Sequence, residues 1–83
     1  MSKKVCKAKE RVNRNGFRFL SYKVDRKIVV EVSFPNEYSN GFRCCGNGWC
    51  YDLHPTIEKP KQSAEDFLNR YYSYCGGVEI IYL

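Results

Sequence analysis

From residue 17 the run FRFLSYKV is rich in aromatic and β-branched residues. After a short polar turn at Asp25-Arg26 comes KIVVEVSF, in which Ile28, Val30, Val32 and Phe34 fall on one side and Glu31 and Ser33 on the other. Period-two alternation marks a half-buried strand, and two such runs joined by a tight turn predict an antiparallel hairpin. Pro35 cannot donate to a continuing ladder, so PNEYSNG, residues 35 to 41, reads as a loop.

A second hairpin is predicted around Asn47-Gly48 in RCCGNGWC, because both residues tolerate the positive φ of a type I′ turn. Taking them as the loop sets the register. Gly46 faces Trp49, Cys45 faces Cys50, Cys44 faces Tyr51, Arg43 faces Asp52 and Phe42 faces Leu53. Side chains then sort by face, with Phe42, Cys44, Trp49, Tyr51 and Leu53 toward the core and Arg43, Cys45, Cys50 and Asp52 away from it. The glycine at position 46 leaves room for the indole across from it.

HPTIEKPKQ, residues 54 to 62, has two prolines and no periodicity and is expected to be a connecting loop. A helix follows, with Ser63 and Asp66 forming a capping box and Ala64, Phe67, Leu68, Tyr71 and Cys75 on the buried face. Tyr72 and Tyr74 fall toward its flanks, where they would be exposed. Gly76-Gly77 ends the helix in the left-handed region. VEIIYL is apolar on nearly both faces, which predicts an interior strand. The order is β-β-β-β-α-β: an α+β fold in which one helix covers one face of a small, mostly antiparallel sheet.

Eighty-three residues form a single domain, 1–83, without a dividing linker or repeat. Charge changes the picture at the N-terminus. Residues 1 to 30 carry ten Lys or Arg against Glu10 and Asp25, whereas residues 31 to 83 carry four against seven acids. Residues 1 to 16 are polar, basic and closed by Asn15-Gly16, so they are expected to be a flexible arm or an irregular first strand. The block can meet nucleic acid or an acidic protein surface, or can merely solubilise the chain.

Candidate chemistry is confined to the cysteines. Cys44-x5-Cys50-x3-His54 has the spacing of part of a three-cysteine, one-histidine zinc finger, but the hairpin sends Cys44 and Cys50 to opposite faces, while a tetrahedral site needs convergent ligands. Cys45, Cys50 and His54 with Cys6 or Cys75 would be the fallback set. A Cys45–Cys50 bridge is easier, since the two lie opposite each other. No stretch reaches the roughly 18 apolar residues of a membrane span and no secretory h-region is present, so the expected location is cytoplasmic, where these thiols would stay reduced. His54 could activate Cys50 only with an orienting acid, which the sequence does not place. No cofactor, metal or catalytic group is therefore expected. Basic residues interleaved with Phe17 and Phe19 are weakly similar to a single-strand-binding surface.

In size, charge split and layout, over the whole chain, the sequence resembles the small single-domain proteins that phages and mobile elements encode to block host defences, anti-CRISPR proteins among them. No residue is carried over on that basis. The resemblance implies a non-enzymatic protein that occludes a site on a protein or ribonucleoprotein partner. Candidate contacts are Lys3, Lys4, Lys7, Lys9, Arg11, Arg14 and Arg18 with Tyr72 and Tyr74. The alternative is a small nucleic-acid-binding domain that uses the same basic block, with Phe17 or Tyr22 stacking.

Overall fold

The computed structural model, which describes residues 3–83, starts with a regular strand where the sequence is most polar, β1 (Lys4–Val12). Of the two alternatives expected for residues 1 to 16, the first strand is the one that forms, regular and built into the sheet over Lys4–Val12 in place of a flexible arm; residues 1 and 2 lie outside the described residues. Cys6 and Ala8 point into the core and are fully buried, while Val5, Lys7 and Lys9 between them are exposed. The inward side of the strand is thus filled by two small residues, and that is why it carries so little hydrophobic signal.

The strand β2 (Arg18–Val24) pairs antiparallel with β1, and β3 (Lys27–Ser33) with β2. The loop closing the first pair is held by Asn13, whose Oδ1 accepts from the N–H groups of Asn15 and Phe17 at 2.9 and 3.0 Å. The second turn puts both Asp25 (φ 52°) and Arg26 (φ 68°) in the left-handed region, as a type I′ hairpin requires. Just beyond it Tyr22 faces Val30 and Lys23 faces Ile28, leaving Val29 as an extra residue. That bulge moves Ile28 out of the predicted apolar stripe and onto the opposite face, where it is 42% exposed.

The predicted second hairpin forms from β4 (Arg43–Gly46) and β5 (Trp49–Cys50), with Cys45 facing Cys50 and Gly46 facing Trp49. A Cβ on Gly46 would overlap the Trp49 ring, so the glycine does leave space for the indole. Two details differ. Only Gly48 takes a positive φ, at 83°. Farther out, Phe42 pairs with His54 rather than Leu53, through reciprocal N–H···O bonds of 2.8 Å, so the chain gains one residue after Tyr51.

The helix α1 (Glu58–Tyr71) begins five residues before the predicted Ser63 cap. Pro60 is compatible with this because N–H groups of a first turn have no intrahelical partner to lose. Glu58 sits at the positive end of the helix. Its carboxyl is held below the usual value by its own backbone N–H and by the Thr56 hydroxyl. Pro60, Ala64, Leu68 and Tyr72, spaced by four, form the buried stripe. Tyr72 is thus core at 8% exposure and Tyr71 is 58% exposed, the reverse of expectation, because the stripe is phased from Pro60. A single 3₁₀ turn, Ser73–Cys75, and the left-handed Gly76 and Gly77 then release the chain into β6 (Val78–Tyr82).

Here too the expectation is corrected. The sheet order is β5-β4-β3-β2-β1-β6, so β6 is an edge strand, parallel to β1. Its apolar character is partly spent outward, with Ile81 and Leu83 exposed. The fold is α+β, a six-stranded, mostly antiparallel sheet with α1 packed across β3, β4 and β6 on one face. Tyr22, fully buried at the centre, shares a 3.0 Å hydrogen bond with Tyr82, whose hydroxyl donates to Glu65 on the helix. Burial pushes the Tyr22 hydroxyl up to about 12.

Candidate functional site

Strand alternation splits the predicted basic block. Lys7, Lys9 and Arg11 project from the face that α1 leaves bare, together with Lys23, Phe19 and Arg43 from the neighbouring strands. Lys4 and Arg18 point the other way and are already engaged. Lys4 Nζ donates to Asp25 Oδ2 at 2.9 Å, which raises the lysine pKa, and Arg18 Nε donates to Glu10 Oε1 at 2.7 Å while its guanidinium lies 4.6 Å from the Phe34 ring centre. Arg14 is exposed at the tip of the β1–β2 hairpin and Lys3 is exposed just before β1. Tyr22, proposed for stacking, is sealed in the core. Lys23 and Arg43 were not among the expected contacts; Lys23 lies directly opposite Lys7, and Arg43 shares a row with Arg11 across Phe19 and Ser33.

On the helix side a different surface forms. Tyr51, Trp49, Phe67, Tyr71, Tyr72 and Tyr74 make a continuous line of rings, with successive centroids 5.0, 4.8, 5.6, 4.9 and 6.1 Å apart. Tyr51, Tyr71 and Tyr74 are 41%, 58% and 65% exposed, while Tyr72 underpins them from the core. Beside the line runs a groove of about 550 Å³ lined by Val24, Val29, Trp49, Phe67 and Tyr71 together with the polar side chains of Asp25, Lys27 and Asn47. The sequence reading found Tyr74 and misassigned Tyr72. It did not connect Trp49 to the helix, because that contact joins residues far apart in the chain.

The cysteines are accounted for separately. Cys45 and Cys50 form a disulfide across the hairpin, with Cα atoms 4.1 Å apart, in place of the expected free thiols. Cys6, Cys44 and Cys75 are buried and free. Burial pushes the Cys6 and Cys44 thiols up to about 11, which leaves almost no thiolate near neutrality. Among the described residues no three His, Cys, Asp or Glu side chains converge in a group that could hold a metal ion. No helix among them is long and apolar enough to cross a membrane. No family model, curated protein or solved structure matches the chain significantly.

Proposed function

We propose that the protein is a non-enzymatic binding module that docks on a protein or ribonucleoprotein partner through the helix-side aromatic line and so occludes the surface it covers. The observation that carries this is the line itself: six linked rings, with Tyr51, Tyr71 and Tyr74 offered to solvent next to a groove. Tyrosine and tryptophan supply large contact area with little side-chain entropy to lose, and they dominate the energetics of binding sites. A groove beside them accepts an apolar side chain of the partner. The host-defence inhibitors that the chain resembles in size and layout would act in this manner, by coverage rather than chemistry. The reading needs no reactive thiol: Cys45 and Cys50 are joined to each other, and Cys6, Cys44 and Cys75 are buried.

The test is a pull-down from nuclease-treated lysate with the wild-type chain and with a Tyr71→Ala, Tyr74→Ala double variant. Both positions are exposed, so the variant keeps its core. A protein captured stoichiometrically by the wild type and lost from the variant supports docking through the line. Equal capture by both contradicts it.

A further inference from the structure

The face opposite α1 carries a second surface, independent of the aromatic line. Register places its side chains in rows. Ile81, Lys7, Lys23 and Ile28 form one row across four strands; Lys9, Ser21, Glu31 and Cys45 form the next; Arg11, Phe19, Ser33 and Arg43 form a third. Lys7 lies directly opposite Lys23. Like charges in that position cost stability in a free sheet, and among the described residues neither lysine is in a salt bridge, the two found being Lys4–Asp25 and Arg18–Glu10. The acids of this face, Glu31 and Glu79, are outnumbered by Lys7, Lys9, Arg11, Lys23 and Arg43. The Arg43 Nε is moreover a buried donor without a partner.

Two hollows lie at opposite ends of these rows. One, of about 300 Å³, is bounded by Val5, Lys7, Lys23, Asp25 and Arg26, so three cations surround a carboxylate that Lys4 already engages. The other, of about 440 Å³, is lined by Phe17, Phe19 and Cys45 with the polar side chains of Asn13, Ser33 and Asn36 and the opposite charges of Arg18 and Glu31. The Arg11–Phe19 pair lies four positions along the strands from the Lys7–Lys23 pair, a span of roughly 13 Å. A basic hollow, a lysine between, and a ring-lined hollow with amide groups at its rim match the alternation of phosphate and base along an unpaired strand. They do not match a duplex, whose bases are stacked away from such a hollow.

We propose that the helix-free face binds single-stranded nucleic acid, with phosphates on Lys7, Lys9, Lys23 and Arg26 and one base against Phe19 between Asn13 and Asn36. Charge complementarity selects this occupant. Arg11 and Arg43 flank the base position and contribute further phosphate contacts. Joined to the aromatic line on the other side, it would let one small domain grip the protein and the nucleic-acid part of a ribonucleoprotein at once.

The experiment is fluorescence anisotropy with labelled twelve-nucleotide uridine and thymidine oligomers and a duplex of the same length, titrated across salt. The wild-type chain is expected to bind single strands more tightly than duplex. The six cationic contacts, Lys7, Lys9, Lys23 and Arg26 with Arg11 and Arg43, give a slope of about −4 for log affinity against log salt. A Lys7→Glu, Lys23→Glu variant should lose at least tenfold in affinity and flatten the slope. Phe19→Ala should lose roughly tenfold with the slope kept, because stacking releases no counterions. Lys59→Glu, on the helix, is the charge control and should stay within twofold. The uridine and thymidine arms separate RNA from DNA. Lysine modification read by mass spectrometry supplies a second measurement that needs no variant. Bound oligomer should protect Lys7, Lys9 and Lys23 and leave Lys59 and Lys61 reactive. Absence of binding at low salt, preference for duplex, equal weakening by Lys59→Glu, or protection of the helix lysines in place of the strand ones would overturn the proposal.

Discussion

The two faces of the sheet are built from the same strands and differ in almost everything else. In β1 alone, Cys6 and Ala8 are fully buried on the helix side, while Lys7, Lys9 and Arg11 stand free on the other side. On the helix face, rings and aliphatic chains pack into one another, and even the polar atoms of Tyr22, Tyr82 and Glu65 are satisfied in sequence. On the bare face a lysine is set opposite a lysine and an arginine nitrogen is left without a partner. Folding alone explains the first arrangement. It does not explain the second, which costs stability, and surfaces with unrelieved like charge are commonly those that receive a partner of opposite charge.

The contrast predicts a hierarchy of effects. Leu68, fully buried on α1 against the sheet, should be the most damaging single truncation. Leu68→Ala is expected to remove about 2–5 kcal/mol, measured as a fall in thermal midpoint, whereas Lys9→Ala should stay within about 0.5 kcal/mol. The same face should also fail at alkaline pH. Cys6 and Cys44 stay protonated in the fold up to about 11, but the unfolded chain ionises them from their ordinary value of 9.0. The unfolded state therefore binds fewer protons than the native state above pH 9, so stability falls as pH rises. The two thiols should contribute on the order of 2 kcal/mol per pH unit to the slope near pH 10. Denaturant midpoints measured from pH 8 to 10.5 check it, and Cys44→Ala should reduce the slope by about a third, since the raised Tyr22 and Tyr82 hydroxyls contribute to it as well.

Reduction of the Cys45–Cys50 bridge comes next. Five residues of separation make a short loop, for which the chain-entropy model gives about 2 kcal/mol. Thermal unfolding with and without a phosphine reductant measures it. Oligonucleotide affinity should fall modestly with the salt slope kept, because Cys45 lines the hollow beside Phe19 but lies away from the Lys7–Lys23 pair. The smallest effect has the opposite sign. Lys7→Thr removes the like-charge pair and is expected to stabilise by a few tenths of a kcal/mol while weakening oligonucleotide binding. A gain in stability accompanied by a loss of binding would mark the bare face as one shaped by function.

How much of this was legible in the sequence depended on how local the cause was. The β2–β3 hairpin and the register of Cys45 with Cys50 follow from alternation and turn chemistry within a few residues, and both were read. So was the left-handed stop at Gly76-Gly77, where φ is 85° and 96°. The first strand was left as an alternative to a flexible arm because its inward side chains are cysteine and alanine, whose hydrophobic signal is weak. The edge position of β6 was missed because an apolar run on both faces reads as interior, while here the outer half of the run is simply exposed. The helix start was missed because Pro60 looks like a breaker unless it falls in a first turn. For the candidate surfaces, charge composition found the basic block but not its division. That division depends on which residues of β1 share a face with β2, and so on Lys4 and Arg18 leaving the set and Lys23 and Arg43 joining it.

The separation of the two faces is tested most directly by pull-downs from one lysate, with and without nuclease, using three chains: wild type, Tyr71→Ala with Tyr74→Ala, and Lys7→Glu with Lys23→Glu. The expected result is a double dissociation. The tyrosine variant should lose the nuclease-resistant protein and keep oligonucleotide affinity, and the lysine variant should do the reverse. Loss of both activities in either variant, or loss of neither, would contradict the assignment of separate partners to the two faces.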